Sequence, residues 1–105
     1  MATSDQSPPE VVRIRSDRTG SFYINLGKKL LREHGVVEYH GVGTATSLAI
    51  ISAERLMKYR YGTLEKVETL RMENSNRSKV VVRVTKAATF DQAEKEFEAQ
   101  VKAKE

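Results

Sequence analysis

At 105 residues and 11.8 kDa, the chain is long enough for one domain with a modest core and too short for two. It is 39% hydrophobic and 30% charged, the balance of a soluble globular domain, and the absence of cysteine excludes disulfides, thiolate metal sites and cysteine nucleophiles. The net charge of +4 is uneven: residues 11–87 carry 15 Lys/Arg against 7 Asp/Glu, a net of +8, while 1–10 and 88–105 each carry −2, and a basic body of this kind points to a polyanionic partner.

Residues 1–10, polar and ending in Pro8-Pro9, read as a disordered lead-in with neither the basic nor the apolar region of a signal peptide. No apolar run approaches the roughly 20 residues a membrane helix needs. Val12 and Ile14 alternate with Arg13 and Arg15, predicting a half-buried strand. Arg18-Thr-Gly-Ser21 is a turn with Thr19 or Ser21 as N-cap, and Phe22, Tyr23, Leu26, Leu30 and Leu31 follow helical spacing up to a stop at Gly35. Spacing with Leu26 and Leu30 predicts Phe22 in the core and Tyr23 at its margin.

Val36–Tyr39 reads as a short strand, Gly41-Val-Gly43 as a tight loop, and Ala45–Tyr59 as a second helix. Its apolar residues cover too wide an arc to be buried on one side, so a second subunit is the expected cover and Leu48, Ile51 and Leu56 the expected dimer interface. Thr63–Glu73 and Lys79–Lys86 flank the turn-rich Asn74-Ser-Asn-Arg-Ser78, predicting a hairpin with a basic tip. Thr89 and Gln92 have capping-box spacing and open a final acidic helix with Phe90, Phe97 and Val101 on one face. That helix is expected to fold back on the basic body and temper binding. The order is β-α-β-α-β-β with an appended helix, an α+β domain.

Catalytic chemistry finds little material. His34 and His40 lack the i, i+4 spacing of a helical zinc pair, and aspartate occurs only as Asp5, Asp17 and Asp91. The glutamates are spaced like solvated faces, so no enzyme, metal or cofactor is expected. The loop His40-Gly-Val-Gly-Thr-Ala-Thr-Ser47 has neither the Gly-Lys-Ser/Thr of a P-loop nor the third glycine of a dinucleotide fingerprint. It places small residues and hydroxyls at a helix start, which suits either a phosphate on free backbone N–H groups or an ordinary glycine turn.

Four features in this order resemble the Alba family of nucleic-acid-binding proteins. They are the strand Val-Arg-Ile-Arg-Ser, the helix opening Ser-Phe-Tyr-Ile-Asn, the loop Gly-Val-Gly-Thr-Ala-Thr-Ser leading to Ala-Glu-Arg-Leu, and the closing basic hairpin. The resemblance covers 11–87 and implies a two-layer β-α-β-α-β-β sandwich, like the C-terminal domain of a bacterial translation initiation factor, that dimerises and binds DNA, RNA or both. It assigns contacts to Arg18, Tyr23, Gly43, Arg77 and Lys79; Thr44 beside the glycine, with the basic Arg13, Arg15 and Lys28, completes the expected surface.

The chain departs from the family pattern in two places. Asp17-Arg18 stands where archaeal members carry two lysines, so a lysine acetylated in some relatives is absent. Val42 and Thr44 replace the arginines that flank the loop glycine in many members, leaving amides and hydroxyls in place of cations. The expected function is backbone-directed binding of RNA and DNA, as a homodimer or a heterodimer with a related chain. It would serve chromatin organisation or mRNA regulation in the nucleus or cytoplasm. The alternative is a non-catalytic, heterodimeric subunit of a ribonucleoprotein such as RNase P or MRP.

Overall fold

The computed structural model describes residues 10–15, 18–71 and 77–104; residues 1–9 of the expected lead-in, Asp17, and residues 74–76 of the expected hairpin turn lie outside them. The elements are β1 (Val11–Arg13), α1 (Gly20–His34), β2 (Val36–Val42), α2 (Thr46–Lys58), β3 (Gly62–Arg71), β4 (Ser78–Lys86) and α3 (Phe90–Lys104). They form one sheet in the order β1-β2-β4-β3, with β1 parallel to β2 and the other pairs antiparallel. The mixed α+β architecture agrees with the order read from the sequence.

Register decides which side chains meet the helices. Val12 lies opposite Tyr39, Tyr39 opposite Val82 and Val37 opposite Val84, and all of these are buried. Because strand side chains alternate, these rows share the face under α1 and α2. Leu64 and Val67 of β3 lie opposite Val84 and Val82 on that same face, with a bulge between Leu64 and Lys66 keeping both there. They remain exposed because β3 is the edge strand.

Local chemistry sets the helix ends. Thr19 caps α1, its Oγ1 accepting from the Phe22 N–H at 3.4 Å. Gly35 closes the helix at φ 78°, its N–H donating to the Leu31 carbonyl at 2.9 Å. Gly41 belongs to β2, opposite Val80, and not to a loop as expected; a Cβ there would lie 2.5 Å from the Ala45 carbonyl oxygen. The strand therefore runs on to Val42, and a single 3-10 turn, Gly43–Ala45, hands over to α2.

The aromatic pair at the head of α1 is the reverse of the sequence expectation. Tyr23 is 2% exposed and Phe22 42%. The buried stripe is Tyr23, Gly27, Leu30 and Leu31, with spacing i, i+4, i+7, i+8. Gly27 belongs to the stripe without contributing a side chain, since a Cβ there would collide with Tyr39 Oη and lie 2.9 Å from Leu56 Cδ1. A count of apolar residues skips that glycine and shifts the stripe by one residue, onto Phe22.

Two further expectations are corrected. Leu56 is fully buried beneath α1, with Ala49, Ser52 and Ala53, so it belongs to the core and not to a dimer interface. The capping box of α3 does not form: Thr89 Oγ1 donates to the Arg60 carbonyl at 2.8 Å, and Gln92 Nε2 reaches Glu96 at 3.3 Å. Phe90 and Ala93 anchor α3 in the core, whereas Phe97 and Val101 stay exposed, so only the first part of the expected apolar face docks.

Candidate nucleic-acid interface

Both layers bring basic groups to the end of the domain where α1 and α2 begin. Past β1, the Ile14 N–H donates to the His40 carbonyl at 2.8 Å, which carries Arg15 on beside the end of β2. Tyr23 then fixes Arg15 by its backbone: its hydroxyl donates to the Arg15 carbonyl at 2.9 Å and accepts from the Arg15 N–H at 2.6 Å. Tyr39 closes the chain of contacts, its hydroxyl donating to the Tyr23 carbonyl at 2.7 Å, and burial pushes that phenol up. Tyr23 therefore positions a cation and cannot stack on a base.

Phe22 takes that exposed place. A groove of about 320 Å³ between β1 and α1 is walled by Arg13, Arg15, Arg18 and Phe22. The Arg18 guanidinium lies 4.8 Å from the Phe22 ring centroid, and Tyr23 meets the ring edge-on with centroids 5.2 Å apart. The first turn of α1 contains no acidic residue. Arginines around an exposed ring are suited to phosphates and to the flat face of a base.

The glycine loop and the hairpin base adjoin this end. Gly43 sits at φ 60°, a backbone that favours glycine, and Thr46 Oγ1 donates to its carbonyl at 2.9 Å. A Cβ on Gly43 would lie 3.8 Å from Arg77 Cδ, so the Arg77 side chain runs beside the loop. Lys79 pairs in register with Val42, and Thr44 is exposed on the turn. The structure thus gathers Gly43, Thr44, Arg77 and Lys79 at the loop and Arg13, Arg15 and Arg18 along the adjacent groove. Lys28 is separate, its ammonium 4.2 Å from the Phe97 centroid and 4.6 Å from that of Tyr61.

The apolar surface on the other flank was only partly visible in sequence. Ile50 and Ile51 on α2 are exposed, as are Leu64 and Val67 on the neighbouring edge strand, while Leu48 is half-buried against the core. The open face of the sheet carries a charged network instead. Glu38 accepts from Arg83 Nη1 at 2.9 Å and from His40 Nε2 at 2.7 Å. Desolvation would raise its carboxyl, but the hydrogen bonds from His40 and Arg83 outweigh this and hold it below the usual range.

No protein-family profile matches the sequence, and no curated protein matches it significantly. Among solved structures, ALBA1 from Trypanosoma brucei superposes with a TM-score of 0.82 at 26% identity, over 94% of this chain and 88% of that one. The chain has the Alba fold. An archaeal Alba, from Thermoplasma volcanium, shares the fold with a TM-score of 0.56 at 16% identity, over 72% of this chain and 99% of that one. Among the described residues no helix is long and apolar enough to cross a membrane, and no His/Cys/Asp/Glu cluster could hold a metal.

Proposed function

We propose that this Alba-fold chain is a dimeric nucleic-acid-binding protein that holds RNA and DNA chiefly by their phosphates. The observation that carries this reading is the groove in which Arg13, Arg15 and Arg18 surround the exposed Phe22, beside a loop flanked by Arg77. Cations that displace counterions give affinity with little sequence information. Such binding suits chromatin organisation or mRNA regulation inside the cell, in nucleus or cytoplasm. The apolar flank of Leu48, Ile50 and Ile51 with Leu64 and Val67 supports pairing with a second Alba chain. An unlike partner on that flank would make the chain half of a heterodimer in a ribonucleoprotein.

Anisotropy titration against single-stranded RNA and duplex DNA at several salt concentrations tests the reading. Contact with three to five phosphates predicts a slope of log K against log salt of about −2 to −4 per protomer. Arg15→Ala with Arg18→Ala should flatten the slope by about 1 to 2. A flat response in the unaltered protein rules the reading out.

A further inference from the structure

A second groove, of about 500 Å³, runs between α1, the C-terminal turn of α2 and α3. Its walls combine three kinds of group. Phe97 and Tyr59 expose 49% and 48% of their surface. Lys28, Lys58 and Arg60 supply cations against the single carboxylate Glu96, which is taken up by Arg60 at 2.8 Å. Asn25 and Gln100 supply amides, and both are exposed. Docking of α3 does not require Phe97: Phe90 and Ala93 are buried, Glu94 pairs with Arg32, and Thr89 bonds to the Arg60 carbonyl.

We propose that this groove takes an unpaired nucleotide of a single-stranded nucleic acid, its base against Phe97 and Tyr59 and its phosphate on Lys28 and Lys58. The proposal rests on the nucleic-acid reading above and adds to it a site on the appended helix. A volume in the range of small-ligand sites admits one nucleotide. Ring faces stack on any base, and amide side chains can pair with base edges. The charge argues against an apolar helix of a partner, because Lys58 pairs with no carboxylate among the described residues and the groove is net positive. The ammonium of Lys28 is held between the Tyr61 and Phe97 rings, so its position is set before a phosphate arrives.

The test uses the full chain, a labelled adenosine RNA of about 12 nucleotides and a duplex RNA of equal length, a span matching single-strand site sizes. Phe97→Ala should weaken single-strand binding by about tenfold, the worth of one stacked base, and leave duplex binding within about twofold. Lys58→Ala should weaken it less, and Phe97→Trp should restore it. Phe97 is half exposed, and an unchanged melting temperature shows that the variant is folded. Arg15→Ala is the control, lowering affinity for both probes. If Arg15→Ala acts and Phe97→Ala does not, the groove proposal is overturned and the functional reading stands. If neither acts, both fall. Equal loss on both probes in Phe97→Ala, or an oligomer split by that change with RNA affinity intact, also overturns the proposal. Micromolar binding of AMP alone, lost in Phe97→Ala with strand affinity unchanged, assigns the groove to a free nucleotide instead.

Discussion

Adjacent in sequence, Tyr23 and Phe22 serve opposite purposes, and a pair of substitutions separates them. Tyr23→Phe leaves the Arg15 amide and carbonyl without their shared hydroxyl, at a cost of about 1–3 kcal/mol in urea unfolding. Phe22→Ala removes an exposed ring; stability should stay within about 1 kcal/mol while single-strand affinity falls several-fold. Gly27→Ala inverts ordinary helix propensity: alanine favours the helix by about 1 kcal/mol, but its Cβ collides with Tyr39 and Leu56, so a net loss is expected on thermal unfolding. Acid titration reports on Glu38 and on Glu94, whose carboxyl the hydrogen bond from Arg32 lowers. Both titrate below their ordinary value of 4.5, so the unfolded chain takes up protons first. Their contribution is complete above that pH and is lost as pH falls through the folded values. Urea midpoints from about pH 6 to about pH 3 should decline less steeply in Glu38→Gln, which starts from a lower midpoint because Arg83 and His40 lose the negative charge and one of the two oxygens they share. A parallel decline in both proteins contradicts this account.

Among the elements, those with local signals were legible and those governed by packing were not. The Thr19 cap, the Gly35 stop and the valine run of β4 announce themselves in a few adjacent residues. Which flank of α2 is covered depends on where the sheet lies, and nothing in the composition separates Leu56 from Ile50. At the candidate site the arginines could be read from their spacing, but Phe22 and Tyr23 were exchanged because a glycine fills a core position. The appended helix shows the same limit. Its acidic residues suggest competition with phosphate, yet its anchor, Phe90 with Glu94 on Arg32, sits at the C-terminal end of α1, whose 15 residues span about 22 Å. That exceeds the screening length of about 8 Å at physiological salt, so Glu94 itself adds little at the loop end. Phe90→Ala should cost about 3–5 kcal/mol, making deletion of 88–105 a stability change first, seen as a lower melting temperature.

At the scale of the whole molecule, two ends and one flank divide the tasks. Cations gather where α1 and α2 begin, α3 is anchored by Glu94 on Arg32 at the other end of α1, and exposed apolar residues of α2 and β3 share a flank. Ile50→Asp should convert a dimer to a folded monomer in sedimentation, whereas Leu56→Asp should unfold the chain because its charge enters the core. Persistence of the dimer in Ile50→Asp would move the interface elsewhere. The extents of 52 × 34 × 22 Å describe an elongated particle, and β3 is exposed throughout Thr63–Arg71 with β4 as its sole strand neighbour among the described residues. A strand held on one side only opens readily, so its amides should exchange with deuterated solvent early in a dilute monomer. An assembly that covers Leu64 and Val67 would slow that exchange, and mass action makes the protection factors of β3 rise with protein concentration while those of β2 stay constant.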